Sequence, residues 1–340
     1  FKIVEKELII NSNADEVEIA LLEDSKLVEL HSEQNDNQFI VGDIFLGQIK
    51  RLMPGLNAAF VEIGHEKDAF LHYTDLSPKL KSVAKFTKDS MTGKLKTHRL
   101  ENFTIEPEII KTGRIDQVLN KKQPLLVQIL KEPIGTKGPR LTCEITIPGR
   151  FLVLSPFTDV VAVSKKISNS EERKQLKKII DSIKPKNFGV IVRTAAAGKN
   201  TAELHEELSQ ILDKWQQIQK QLQKSRPPVK LLSELDKTTS LLRDLVTDSF
   251  NKIVVNNKEV YENIKRYLEA NVPGQKSIVH YHRSNRPIFD TNGVTKQIKS
   301  SFSKTPTMGS GAYIVIEHTE AMHVIDVNSG HKMSSKNQEE

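Results

Sequence analysis

The sequence predicts a multidomain α+β protein that includes a small antiparallel β-barrel. Its 340 residues exceed the usual size of one domain, and 37% of them are hydrophobic, which suffices for buried cores. Short strand patterns separated by Gly, Pro and Asn turns dominate the first half, whereas helical and strand patterns mix afterwards. No run of about 18 apolar residues occurs, so the sequence argues against a membrane-spanning helix and a membrane partner.

The first strand patterns, at residues 7–11 and 16–22, predict a short β-meander. The next five predict an antiparallel, OB-like barrel because they are short and joined by turns such as Pro54-Gly55-Leu56-Asn57. These strands are 42–52, 58–64, 69–72, 124–130 and 140–145. Residues 77–120 interrupt the pattern with low hydrophobicity and many lysines, so we interpret them as an insertion.

Helical periodicity appears after residue 149. A helix that begins near Ser170 lies between strand patterns at 151–154 and 189–194. The helix predicted over 201–224 carries apolar residues at steps of 4, 3, 4, 3 and 4. These residues are Leu204, Leu208, Ile211, Trp215, Ile218 and Leu222. The stripe favours core packing, and a seam for a partner helix is the alternative.

The last third predicts helices at 240–250, 258–270 and 294–302 with strands at 253–256 and 278–281, followed by a hairpin of strands 313–317 and 322–328. Since side chains alternate along a strand, Asp326 and Asn328 are expected on the same face. Magnesium prefers hard oxygen ligands and often takes only one or two protein carboxylates, so Asp326 is a candidate ligand. The alternative is a turn-forming aspartate before Ser329-Gly330.

Positive charge is concentrated in one stretch of a chain whose net charge is +7. Between Lys79 and Arg99 seven basic residues face one acid, Asp89. Such a segment beside a folded domain predicts a polyanionic partner. RNA or DNA is favoured over acidic lipid because we find no amphipathic apolar stripe among these charges. A solvated loop that binds nothing is the alternative.

The sequence lacks the motifs of several common catalytic and metal-binding sites. The sequence has no P-loop, no Gly-x-Ser-x-Gly elbow and no His-Glu-x-x-His helix. Cys143 is the single cysteine, so it forms no internal disulfide and no cysteine-based zinc site by itself. A reducing compartment, and hence the cytoplasm, is expected.

Three motifs resemble the ribonuclease E/G family and occur in family order. They are PGLNAAFVEIG (54–64) with AFLH (69–72), GVIVRTAAAG (189–198) and SGAYIVIEHTEAMHVIDVNSG (310–330). The similarity extends over nearly the whole chain, and the lack of a long extra tail favours the ribonuclease G type. The resemblance implies a magnesium-dependent endoribonuclease that cuts single-stranded RNA, prefers 5′-monophosphorylated ends, and acts in rRNA maturation and mRNA decay.

The resemblance also implies four parts. An RNase H-like subdomain is split between residues 1–38 and 238–301. An OB-type RNA-binding barrel covers 39–143, including the lysine-rich insertion 77–120, which is larger than the family's usual barrel loop. A 5′-sensor domain covers 144–237, and a partial DNase I-like catalytic subdomain covers 302–340. The insertion is expected to be either an additional RNA grip or a disordered segment.

The catalytic and phosphate-binding roles follow from the resemblance residue by residue. Asp326 falls on a magnesium-binding aspartate of the family, and Asn328 on the asparagine that orients the reacting phosphate. Arg193 and Thr194 fall on the pocket for the 5′ phosphate, which the main chain near Gly149 and Val153 closes. An ion pair between Arg193 and an acid of the sensor domain is the alternative.

The RNA-binding roles follow in the same way. Phe60 and Phe70 fall on barrel aromatics that bind bases beside the cut, and Lys137 on a lysine that touches the RNA backbone. The alternatives are rings that point inward to fill the barrel, and a plain surface charge at Lys137. Lys165 and Lys166 lie where the family often carries arginines.

Two features of the family fall outside these 340 residues, namely a second magnesium aspartate and the zinc-binding cysteine pair of the full-length proteins. We therefore expect a chain truncated before the end of the catalytic subdomain, which binds RNA but cleaves poorly alone. Homo-oligomers are expected of the full-length protein. The alternative function is a non-catalytic RNA-binding module.

Overall fold

The fold is that of a computed structural model, which describes residues 4–34, 39–233, 238, 242–243, 250–271, 276–308 and 311–330. The chain divides into two compact units, Phe1–Asp36 with Val246–Glu340, and Asn37–Leu245. Both units contain helices and strands, which confirms the predicted α+β class. None of the described helices has the length and apolar character needed to cross a membrane.

In chain order, the strands are β1 (Lys6–Ser12), β2 (Glu16–Glu23), β3 (Lys26–Gln34), β4 (Ile44–Met53), β5 (Ala58–Glu62), β6 (Ala69–His72), β7 (Pro124–Lys131), β8 (Arg140–Thr142), β9 (Ile147–Pro148), β10 (Leu152–Pro156), β11 (Val161–Val163), β12 (Phe188–Val192), β13 (Val229–Leu232), β14 (Phe250–Val255), β15 (Val279–Tyr281), β16 (Tyr313–His318) and β17 (His323–Asn328). The helices are α1 (Leu80–Met91), α2 (Ile115–Val118), α3 (Ser170–Ile183), α4 (Thr201–Leu222), α5 (Lys258–Asn271), α6 (Ile288–Thr291) and α7 (Val294–Ser301).

The unit formed by the two chain ends contains a mixed five-stranded sheet in the order β15-β14-β1-β2-β3. Strands β1, β2 and β3 are antiparallel, which confirms the predicted meander, and β14 lies parallel to β1. A small core joins Ile9 of this sheet to Phe289 of α6 and Val294 of α7. Most of the helix predicted at 240–250 lies outside the described residues, and its last residue, Phe250, begins β14 instead.

The second unit contains the predicted barrel, although the prediction that all its strands are antiparallel is wrong for β6 and β8, which pair in parallel. Strands β4, β5, β6, β8 and β7 pair in that order, and β7 pairs back to β4, so the barrel is closed and OB-like. Side chains such as Val61 and Leu71 are buried inside it. Gly47 permits the close approach of β4 and β5, because a Cβ at this position would lie 2.7 Å from Cγ1 of Val61.

The lysine-rich insertion is folded. Its helix α1 buries Leu80, Val83 and Phe86, and the Phe86 ring stacks on Trp215 with centroids 4.8 Å apart. The expectation that no amphipathic stripe accompanies these lysines is therefore wrong. In α1, lysines lie between the apolar residues, so the helical spacing of the apolar residues is hard to recognise in the sequence. The alternative of a disordered insertion is likewise wrong for 77–120, all of which the structure describes.

A four-stranded sheet in the order β11-β12-β10-β9 follows the barrel and packs with α3 and α4. Helix α3 begins after Asn169, whose side chain accepts a hydrogen bond from Glu171 N at 2.9 Å. The apolar stripe of α4 is buried, and Trp215 donates from Nε1 to His98 O at 3.0 Å. The stripe thus packs in the protein's own core, as predicted, and this core is continuous with that of the barrel.

Candidate functional site

The outer face of the barrel carries a pair of aromatic rings. Phe60 of β5 and Phe70 of β6 are directly opposite in the strand register, with ring centroids 5.9 Å apart and an interplanar angle of 66°. Both are only partly buried, whereas the alternate positions Val61 and Leu71 are fully buried. The alternative of inward-facing rings is therefore wrong, and the two rings form an accessible platform.

Two arginines flank this platform, and one of them is ion-paired with Asp75. Arg51 of β4 lies opposite Phe60, with its guanidinium 4.8 Å from the ring centroid. Arg140 of β8 lies opposite Phe70 and donates to both carboxylate oxygens of Asp75, at 2.7 and 3.1 Å. These hydrogen bonds raise the pKa of Arg140. Flat rings beside fixed cations can stack bases while the cations meet phosphates.

The platform cations were not identified from the sequence. Arg51 and Arg140 are far apart along the chain, and only the strand register brings each beside a ring. Lys137, a residue that the sequence predicts to bind RNA, lies on an exposed turn between β7 and β8. Lys67 stabilises this turn by donating a hydrogen bond from Nζ to Gly135 O at 3.1 Å. This position is compatible with an RNA-backbone contact and with a plain surface charge.

A second cluster lies at one edge of the four-stranded sheet. Since β11 and β12 are parallel and Val163 pairs with Val192, the residues that follow both strands meet at that edge. Arg193 donates from Nη1 to Gly149 O at 2.9 Å. The hydroxyls of Thr194 and Ser164 are 2.9 Å apart. The structure thus brings Arg193 and Gly149 into contact and places Thr194 beside them.

Val153 and two lysines lie near this cluster in the sheet and in the segment after β11. Val153 lies in β10, paired with Pro148 and Ile191, and is partly buried. Lys165 and Lys166 follow Ser164 and are exposed. Ser164 was not identified from the sequence, and its hydroxyl contact with Thr194 spans 30 residues, so no local pattern could reveal it.

The loop after Gly149 is held by a carboxylate. Glu207 of α4 accepts hydrogen bonds from the backbone N–H groups of Arg150, Phe151 and Leu152, at 2.6, 2.8 and 2.8 Å. Burial raises the pKa of Glu207, and these three donors act in the opposite direction. A Cβ at position 149 would lie 2.9 Å from Glu207 Cδ. Only glycine at this position therefore allows the loop to lie this close to Glu207.

Glu207 was also missed from the sequence, although a signal exists. It lies three residues after Leu204 and four before Ile211, which places a charged residue within the apolar stripe of α4. An acid on the buried face of a helix indicates a buried partner for it, because an unpaired buried carboxylate is costly. Here that partner is the loop 150–152.

The hairpin of β16 and β17 carries the candidate metal ligand. Asn328 donates from Nδ2 to Asp326 Oδ2 at 3.0 Å, which confirms that the two side chains share a face. Val315 lies opposite Asp326, and Glu317 lies opposite Val324, so Glu317 is a diagonal neighbour of Asp326 on that face. Asp326 is exposed and can approach a ligand.

These residues suit a magnesium ion only in part. Across the described ranges, no group of three or more His, Cys, Asp or Glu side chains is placed to hold a metal. Asp326 nevertheless supplies a hard oxygen donor oriented by an amide, and magnesium often uses one or two carboxylates together with waters and phosphate oxygens. Asp326 therefore fits as one ligand of an incomplete protein site.

Comparison with known proteins gives one consistent result. A family model described as Ribonuclease E/G family matches residues 146–340. Ribonuclease G of Escherichia coli (strain K12) is 32% identical over 331 residues, covering 97% of this chain and 64% of that protein. Ribonuclease G of Haemophilus influenzae is 34% identical over 334 residues, covering 98% and 64%. Ribonuclease E of Nostoc sp. (strain PCC 7120) is 34% identical over 325 residues, covering 92% and 43%. The chain thus spans about 64% of the length of the ribonuclease G relatives.

Proposed function

The chain belongs to the ribonuclease E/G family, and on that premise we propose that it is the RNA-binding and part-catalytic portion of a magnesium-dependent endoribonuclease. Its substrate is single-stranded RNA, preferably with a 5′ monophosphate, and its role is in rRNA maturation and mRNA decay in the cytoplasm. The observation that carries this proposal is the platform of Phe60 and Phe70, because two accessible rings flanked by arginines on an OB-like barrel suit single-stranded nucleic acid.

The platform holds the RNA beside the cut. Stacking on Phe60 and Phe70 tolerates any base, since every base has a π face. Arg51 and Arg140, each opposite one of the rings, meet the phosphates of the same strand. Lys137 contributes a further backbone contact from its exposed turn.

The cluster around Arg193 recognises the 5′ phosphate. A guanidinium suits a terminal phosphate because it can donate two parallel hydrogen bonds to its oxygens. The bond from Arg193 to Gly149 O fixes the orientation of the guanidinium, and Thr194 offers a hydroxyl at the start of the next turn. The main chain from Gly149 to Val153 closes the pocket, and Lys165 and Lys166 meet the following phosphates.

Asp326 and Asn328 act at the bond that is cut. A magnesium ion bound there would supply an activated water and offset the charge that develops on the phosphate. Asp326 would hold it through a carboxylate oxygen, and Asn328 fixes the orientation of that carboxylate through the 3.0 Å hydrogen bond. Because one carboxylate rarely suffices for metal-assisted phosphodiester cleavage, the 340 residues alone are proposed to bind RNA and to cleave it weakly.

The four-part division expected from the sequence is also part of the proposal. The sheet unit of the two chain ends corresponds to the RNase H-like subdomain, the barrel to the OB-type module, the four-stranded sheet with α3 and α4 to the 5′ sensor, and the hairpin to the start of the DNase I-like subdomain. Homo-oligomers and a zinc site are proposed for the natural full-length protein.

A non-catalytic RNA-binding module is the second candidate, favoured by the lack of a three-ligand metal cluster among the described residues. One substrate pair tests the main proposal. The natural full-length protein is incubated with the same 5′-labelled RNA carrying either a 5′ monophosphate or a 5′ hydroxyl, with and without EDTA. Faster cleavage of the monophosphate, abolished by EDTA, is expected. Binding without any cleavage would favour the module.

A further inference from the structure

A basic groove lies beside the barrel, apart from the platform and the Arg193 cluster. It is a cavity of about 780 Å³ between α1 and the turn that leads into β7. Lys81, Lys85 and Lys88 line it from α1, and Lys121 and Lys122 line it from the turn. The three helix lysines are spaced by four and three residues, so they lie on one face of α1. We call these five lysines and the space between them the lysine groove.

Positive charge in the lysine groove exceeds what its acids balance. Two acids, Asp89 and Glu106, also line the cavity, so five lysines leave an excess of three positive charges. Lys85 pairs with Glu106 at 2.5 Å. Within the described part of the chain, the other four lysines form no ion pair. A concave surface with unbalanced positive charge concentrates anions.

The groove is built on fixed elements. Helix α1 is anchored by buried Phe86, which stacks on Trp215, and Ser82 Oγ accepts a hydrogen bond from Glu106 N at 2.8 Å. Lys122 has φ +64°, a left-handed conformation that lysine rarely adopts. Its N–H donates to Ile49 O at 2.7 Å, so pairing with the barrel holds this strained residue in place.

Strand β4 links the groove to the platform. Ile49 accepts the hydrogen bond from Lys122 and lies two residues before Arg51, with a register shift between the two in the pairing of β4 with β5. Strand β4 therefore pairs on one side with the turn that lines the lysine groove and on the other with the strand that carries Phe60.

We propose that the lysine groove binds the phosphate backbone of single-stranded RNA that extends beyond the platform. Base stacking holds the nucleotides at Phe60 and Phe70, and Lys81, Lys88, Lys121 and Lys122 hold the phosphates that follow. The insertion therefore lengthens the RNA-binding surface of the barrel. This inference rests on RNA as the proposed substrate, but it does not depend on cleavage.

The test compares two triple variants that remove the same charge from the insertion. The groove variant is Lys81→Gln, Lys88→Gln and Lys121→Gln. The control is Lys94→Gln, Lys96→Gln and Arg99→Gln, whose residues are exposed and do not line the cavity. Binding is measured by fluorescence anisotropy with a single-stranded RNA of about four nucleotides and one longer than about 16, the range of site sizes of OB folds.

The groove variant should bind the long RNA more weakly than the control and the short RNA as well as the control. Each lost phosphate contact lowers the salt slope by about 0.7, so the slope should fall by about 2. Raising salt from 50 to 200 mM should then cost this variant roughly 20-fold less affinity than it costs wild type. Circular dichroism checks that both variants are folded.

Two results would overturn the proposal. Equal weakening by both triple variants would mean that diffuse charge, and no built groove, attracts RNA. Unchanged long-RNA binding by the groove variant, together with a loss of poly-glutamate binding, would assign the surface to an acidic protein partner. Loss of cleavage with intact binding would count against the proposed enzyme and leave the groove standing, so the two failures are distinguishable.

Discussion

Arg193 donates from Nη1 to Gly149 O at 2.9 Å, and this bond ties the residue after β12 to a loop that Glu207 holds from helix α4. Three segments far apart in sequence therefore fix one guanidinium. Because a phosphate pocket depends on the orientation of its donors, we expect changes in any of these segments to alter recognition of the RNA end.

Arg193→Lys separates charge from geometry. Lysine keeps the positive charge but loses the two-pronged donor, so we expect kcat/KM for 5′-monophosphorylated RNA to fall about 10- to 150-fold, the equivalent of about 1.5–3 kcal/mol for hydrogen bonds to a charged group. Cleavage of 5′-hydroxyl RNA should not change. Lys178→Ala, on the exposed face of α3, is the control. An unchanged preference in Arg193→Lys would remove the phosphate assignment.

Glu207→Gln tests the support under the loop. The glutamine amide adds donors that face the N–H donors of residues 150–152, so we expect the free energy of unfolding to fall by about 1.5–3 kcal/mol. The preference for a 5′ monophosphate should fall with it, measured as the ratio of kcat/KM values. A variant that is destabilised but keeps the full preference would show that Glu207 has only a structural role.

The difference in the free energy of unfolding between wild type and Glu207→Gln is predicted to depend on pH. Burial raises the pKa of Glu207, so the folded chain binds this proton more tightly than the unfolded chain. The contribution of Glu207 to the free energy of unfolding is therefore complete below the ordinary glutamate pKa and decreases as pH rises through the raised one. The stability difference between wild type and Glu207→Gln should shrink over that interval in urea titrations. A difference that grows with pH would contradict this assignment.

Phe60→Ala tests the platform. Loss of one stacked base should weaken RNA binding by about 1–3 kcal/mol, or roughly 5- to 150-fold, for oligonucleotides of any sequence. Phe60→Leu keeps apolar bulk and should recover little of the loss, because stacking needs the ring. Phe302→Ala is the aromatic control, since Phe302 is 82% exposed and lies outside the barrel. Equal affinities of all three variants would refute the platform.

Trp215→Ala tests how the insertion is fastened. Trp215 is fully buried, stacks on Phe86 of α1 and donates to His98 O, so its removal should lower the free energy of unfolding by about 3–5 kcal/mol. Urea denaturation followed by circular dichroism measures this, with exposed Gln217→Ala as the control. A loss below about 1 kcal/mol would mean that α1 is not anchored through this ring.

Elements with strong periodicity could be predicted from the sequence. The alternation of β17 placed Asp326 and Asn328 on one face, and the stripe of α4 identified its buried residues, because both patterns are local. Helix α1 was missed because Lys81, Lys85 and Lys88 mask its apolar spacing. The site contacts were missed for another reason. Glu207 and the loop at Arg150 are 57 residues apart, and only the tertiary fold joins them.

The most direct test of the central claim is cleavage of 5′-labelled single-stranded RNA by the natural full-length protein carrying Asp326→Asn. Glu320→Gln, an exposed acid at the hairpin turn, is the charge-matched control. We predict that Asp326→Asn lowers magnesium-dependent cleavage at least about 100-fold while RNA affinity stays within about twofold of wild type, and that Glu320→Gln cleaves normally. Cleavage by Asp326→Asn at the wild-type rate would contradict the account.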